Sequence, residues 1–132
     1  MKPPRDIPST TPLPKKLGIK PDTHLAIIAA PDGFLELIES PPHTTNITPS
    51  TNLALCFIRT LRDLAATLDL ITARLPPKAS AWIIRPKRTG RFSVDFNENH
   101  VRDAALDRKL VDYKICSVDD DWSAIKFTWR RS

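Results

Sequence analysis

Three short runs of consecutive apolar residues, at 24–30 (HLAIIAA), 53–58 (LALCFI) and 81–84 (AWII), constrain this chain more than anything else in it. Each is short and continuously apolar, the pattern of a strand covered on both faces in a parallel sheet. Turn residues or cations close each run: Pro31-Asp32-Gly33, Arg59-Thr60, and Arg85 to Arg88.

The pieces between the runs read as helices and loops. Asp32 is placed to cap a short helix over about 34–39, which Pro41-Pro42 ends. Residues 44–48 favour extended structure and form a candidate edge strand, but too few residues separate them from the next run for a parallel crossover helix. Thr60 with Asp63 makes a capping box, and Leu61, Leu64, Leu68, Ile71 and Leu75 then fall on one helical face before Pro76-Pro77. After the third run Pro86 removes a backbone donor and turns the chain out of the sheet into a basic loop, 87–94. Asp95 and Glu98 stand at capping spacing for a helix to about 107, with Val101, Ala104, Ala105 and Leu106 inward.

The end of the chain changes period. Val111, Tyr113 and Ile115 alternate with Asp112, Lys114 and Cys116, and Ile125, Phe127 and Trp129 with Lys126, Thr128 and Arg130, giving two half-exposed strands joined at 119–123 as an antiparallel hairpin. The expected fold is therefore α/β: a three-layer, Rossmann-like open sheet, mainly parallel, ending in an antiparallel hairpin. Residues 1–16 hold five of the 13 prolines and read as a flexible arm, leaving 17–132 as a single domain.

Hydrophobic residues at 41% and charged residues at 27% fit a globular chain. No apolar run approaches the roughly 20 residues needed to span a bilayer, and the N-terminus lacks a secretory signal, so a cytoplasmic protein without a membrane partner is expected. Cys56 and Cys116 lie in apolar strand-like runs without metal-ligand spacing, which predicts buried free thiols and no metal.

The net charge of +5 is unevenly placed. Lys2, Arg5, Lys15, Lys16 and Lys20 load the N-terminal end, Arg85, Lys87, Arg88 and Arg91 the central loop, and Arg130 and Arg131 the C-terminus. Open α/β sheets bind ligands beyond the carboxyl ends of their strands. Those ends carry Asp32, Gly33, Arg59, Arg85, Lys87 and Arg88, which predicts a cationic cleft, reinforced by amides after Gly33, for an anionic small molecule or a protein partner. The bland alternative pairs these arginines with Asp63, Asp95 or Asp119 to Asp121. Nucleic-acid binding through the basic arm and loop is a weaker reading, because aromatic interleaving and a known reading motif are missing.

Catalysis has little support. His24, His43 and His100 are scattered and no nucleophile motif accompanies them. Asp119 to Asp121 lack the alternating spacing of a calcium loop. The terminal hairpin resembles that of class I methyltransferases, which makes a diverged S-adenosylmethionine-dependent enzyme the alternative function. Their glycine-rich loop and acidic second strand are missing: residues 29–33 hold one glycine and 44–52 no acid. No cofactor is expected.

Several motifs together resemble a small bacterial family of unknown function, domain family number three thousand and fifty-two: Leu17 to Ile19, Pro31 to Leu35, Trp82 to Lys87, Asp95, Val101-Arg102, Leu110 to Lys114, and Trp122 to Phe127. The resemblance covers roughly 17–131 and implies a Rossmann-like domain with no known reaction. It adds Asp95, Trp122 and Lys126 to Lys87 as site residues that would converge on one edge if the hairpin folds beside the central strand. Lys109 departs from it, standing where the family often has a helix-closing glycine.

Overall fold

The computed structural model describes residues 11–90, 94 and 96–130. The elements are α1 (Leu13–Leu17), β1 (Leu25–Ile28), α2 (Phe34–Leu37), β2 (Leu53–Phe57), α3 (Leu61–Arg74), β3 (Ser80–Pro86), α4 (Glu98–Leu106), β4 (Leu110–Ser117) and β5 (Trp122–Trp129). They form one five-stranded sheet in the order β1-β2-β3-β5-β4. β1, β2 and β3 pair in parallel, and β5 pairs antiparallel with both β3 and β4. β5 alone therefore runs against the other four strands, which is the mainly parallel α/β sheet with a terminal hairpin that the apolar runs predict. No helix among the described residues is long and apolar enough to cross a membrane.

Successive residues of a strand face opposite ways, so the apolar runs feed two cores. On one face Ala54, Cys56, Ala81, Ile83, Ile125 and Phe127 pack against α3 and α4. On the other, Leu25, Ile27, Leu55, Trp82, Ile84 and Ala124 pack under Leu17, Phe34 and Ile38 from α1 and the α2 region. The second layer is thin, made of one-turn helices.

α3 begins as its sequence implies. Thr60 Oγ1 accepts from Asp63 N at 3.0 Å, and Asp63 Oδ2 accepts from Thr60 N at 3.2 Å. Leu64, Leu68, Ile71 and Leu75 are buried, but Leu61 is 50% exposed. Leu106, expected inward on α4, is likewise 41% exposed.

Other expectations are corrected. Asp32 does not cap α2: Gly33 holds the cap position at φ 87° with no side-chain hydrogen bond. At four residues, α2 is too short for the dipole expected at its start. α4 is capped by Asn97, whose Oδ1 accepts from Asn99 N and His100 N while His100 Nδ1 accepts from Asn97 N at 3.1 Å. Asp95, predicted for that role and for the site, lies outside the described residues. Pro86 stays in the sheet as the last residue of β3, opposite Trp122, and Lys87 N continues the pairing to Asp121 O at 2.8 Å. Cys116 is a buried free thiol, as its apolar run predicts, although it falls on the polar side of the alternation read for β4. A bulge between Asp112 and Lys114 inverts the alternation there.

The Pro-rich arm expected over 1–16 falls partly outside the described residues. Within it, 13–16 belong to α1, which is anchored where the Trp82 indole N–H donates to Leu17 O at 2.8 Å. Residues 44–48 contribute a single parallel bridge, Ala26 with Thr44, on the outer side of β1. That bridge has a consequence for the site. The chain leaves β1 to one side, touches it at Thr44, and returns to form β2 on the other side, so strand order reverses at β1.

Candidate functional site

The reversal places the crevice of an open α/β sheet at the carboxyl ends of β1 and β2. Arg59 spans it. Its Nη1 donates to Ala29 O at 2.9 Å, and its guanidinium carbon stands 5.4 Å from the centroid of the Trp122 ring. Ala29 adopts φ 60°, an uncommon left-handed conformation for a residue with a side chain. Arg59 is held from below by α3, because Asp63 Oδ2 also accepts from Arg59 N at 2.9 Å.

An aromatic chain floors the site: Phe34 meets Phe57 edge-on at 4.7 Å, and Phe57 meets Trp122 at 5.3 Å. Beside it opens a cleft of about 380 Å³ lined by Pro31, Asp32, Gly33, Phe34, Leu37, Asp119, Asp121 and Trp122. Asp119 shapes its rim, since Oδ1 accepts from Asp121 N at 2.8 Å and from Trp122 N at 2.9 Å.

Of the residues expected from sequence, Asp32, Gly33 and Trp122 line this cleft, and Arg59 stacks on its floor. Lys87 stands beside it on the hairpin, its Nζ donating to Ser117 Oγ at 2.6 Å. The turn after Lys87 is pressed against the hairpin turn: a Cβ on Gly90 would lie 2.8 Å from Asp121 Cα. Arg88 is exposed. Arg85 is not part of the cleft. It leaves β3 toward α4, half-buried, with Nη1 donating to Pro86 O and Nε without a partner among the described residues. Burial pulls its guanidinium below the usual arginine range, opposed by Glu98. Lys126 pairs with Trp82, four residues along β5 from Trp122, or about 13 Å at strand rise. The expected convergence of Lys126 with Trp122 on one edge therefore does not occur.

Among the described residues the cleft lining holds three carboxylates, with Arg59 flanking it, a mixed and not a uniformly cationic set. Sequence reasoning missed Leu37, Phe57 and the Ala29 carbonyl. An apolar strand-end residue such as Phe57 looks the same whether it packs in a core or floors a cleft. No group of three His, Cys, Asp or Glu among the described residues could hold a metal. Both thiols are buried and kept protonated: burial pushes Cys56 up to about 12, and burial opposed by Lys16 and Lys126 pushes Cys116 up to about 11.

No protein-family model matches the chain, and no curated protein matches it. Solved structures do. A Sulfolobus solfataricus protein assigned as a type 11 methyltransferase aligns with TM-score 0.54 at 14% identity, over 83% of this chain and 73% of its own. The structure of a fibrillarin/Nop5p complex aligns with TM-score 0.52 at 11% identity, over 83% and 74%. The Methanococcus jannaschii fibrillarin pre-rRNA processing protein aligns with TM-score 0.50 at 10% identity, over 83% of this chain and 57% of its own. At these identities the likeness is one of fold: a class I methyltransferase-like Rossmann sheet.

That fold family implies S-adenosylmethionine, and the residues here do not fit it. The turn after β1 holds one glycine, the side chain of Arg59 crosses the crevice between the ends of β1 and β2, and the segment that meets β1 at Thr44 offers no carboxylate through Asn52 for ribose hydroxyls.

Proposed function

We propose that this protein is a noncatalytic binding domain on a methyltransferase-like fold, whose cleft at the carboxyl edge takes a ligand or partner bearing an anionic group. The observation that carries this reading is Arg59, which bridges Ala29 O and the Trp122 ring across the crevice. A guanidinium has five donors, so the side chain retains several for an anion while its stem and stacking keep it in place. The apolar floor of Phe34, Leu37 and Trp122 suits an uncharged body attached to that group, and Asp32 at the rim favours a donor-rich portion.

The motifs of the resemblance to the domain family of unknown function also meet in space: Leu17 accepts from Trp82, and Lys126 stands over the Trp82 ring at 5.6 Å. Membership in that family is proposed from the sequence motifs alone.

A thermal-shift screen of small carboxylates and phosphates, repeated on Arg59→Gln, tests the reading. A stabilising anion is expected for the unmutated protein, with the shift lost in the variant. The methyltransferase alternative is favoured by the fold likeness, and calorimetric titration with S-adenosylmethionine and its demethylated product separates the two. No heat of binding is expected, and saturable binding of either compound would overturn the noncatalytic assignment.

A further inference from the structure

The register of the terminal hairpin sets two lysines directly against each other. Lys114 of β4 pairs with Lys126 of β5, so both side chains leave the same face, their Cβ atoms about 5 Å apart. Like charges placed opposite one another destabilise a sheet, and neither is required by the core.

The surroundings hold these cations without neutralising them. Bulged Tyr113 brings its ring to both: Lys126 Nζ lies 5.4 Å and Lys114 Nζ 5.9 Å from its centroid. Ser80 Oγ and the Tyr113 hydroxyl, 3.2 Å apart, fix the ring. Gly18 leaves room for the Lys126 ammonium, since a Cβ there would approach it to 3.2 Å. Lys16 adds a third charge, donating to Ser117 O at 3.4 Å.

Among the described residues none of the three lysines is ion-paired. The carboxylate of β4, Asp112, lies on the opposite face and binds Arg102 at 3.0 Å. Ammonium groups held by π faces and backbone oxygens keep their full charge for an incoming anion.

The geometry points to a second site, on the open face of the hairpin, where Lys16, Lys114 and Lys126 hold a small anion bearing more than one phosphate charge. Three point charges match a multiply charged phosphoryl group better than a single carboxylate. The site lies along β5 from the Trp122 cleft and does not depend on Arg59.

Titration of the full chain with inorganic pyrophosphate, followed by amide chemical shifts and by Tm, tests the assignment. Shifts are expected around 16–18, 113–117 and 126. Lys114→Gln and Lys126→Gln are each expected to weaken binding by roughly tenfold or more, the loss of one charge-assisted contact. Without ligand, Lys114→Gln is expected to raise Tm by about 1–3 °C, because it relieves the opposed charges. Absence of binding overturns the proposal, as do pyrophosphate shifts that vanish in Arg59→Gln while both lysine variants bind normally, or a lowered ligand-free Tm in Lys114→Gln. Binding of a single-stranded oligonucleotide at these lysines with no response to pyrophosphate overturns the small-anion assignment in favour of a nucleic-acid backbone.

Discussion

Lys109 occupies a left-handed turn at φ 67° between α4 and β4. That conformation costs a side-chain-bearing residue about 1–2 kcal/mol, and the surrounding bonds enforce it. Lys109 N donates to Leu106 O, and Lys109 O accepts from Arg130 N at 2.7 Å, tying the turn to the end of β5. Glycine reaches this conformation without strain but loses more entropy on folding. Lys109→Gly is therefore expected to stabilise the protein by about 0.5–1 kcal/mol net, seen as a higher urea midpoint with an unchanged slope. At Gly90 the constraint is spatial, because any Cβ meets the backbone of Asp121.

At the scale of elements, the helices differ in how much their ends were legible. The capping box of α3 satisfies two orphan groups with one Thr/Asp pair, and Thr60→Ala is expected to cost about 1 kcal/mol, measured by chemical denaturation. The same Asp63 carboxylate receives Arg59 N, so the variant is also expected to loosen the Arg59 contact with Trp122. α4 shows why such motifs mislead: Asp95 with Glu98 and Asn97 with His100 have the same spacing, and the competition is decided by where the chain re-enters the helix. For the two terminal strands, periodicity read the hairpin correctly but not the register shift at Tyr113, past which the alternation is inverted. Bulges leave no spacing signature, because each flanking segment keeps its own period of two.

At the scale of the whole molecule, the two-sided sheet makes stability sensitive to alkali. Cys56 lies in β2, between β1 and β3, and its thiol is pushed by burial from 9.0 to about 12. Between those values the native state retains a proton that the unfolded chain releases, so stability is unaffected below about pH 9 and falls as pH rises toward 12. The slope contributed by one such thiol is at most about 1.4 kcal/mol per pH unit. Cys56→Val, similar in volume and unable to ionise, is expected to show a shallower loss of stability from pH 8 to pH 10.5 in paired denaturation curves. Equal slopes would mean that the thiol does not titrate with unfolding.

The sequence by itself determined the elements and their class. Apolar runs specify strands covered on both faces, Thr60 with Asp63 specifies the start of α3, and alternation specifies a hairpin, because each depends on neighbours within a few residues. Tertiary structure decided the rest. It placed β5 between β3 and β4, reduced 44–48 to one bridge that reverses the strand order at β1, and divided a contiguous basic stretch among separate environments. Arg85 turned toward α4, Lys87 joined the hairpin, and Arg59 reached Trp122. Adjacent residues of a strand point to opposite faces, and which face meets which helix is fixed by pairing between segments distant in the chain, so charges clustered in sequence need not cluster in space.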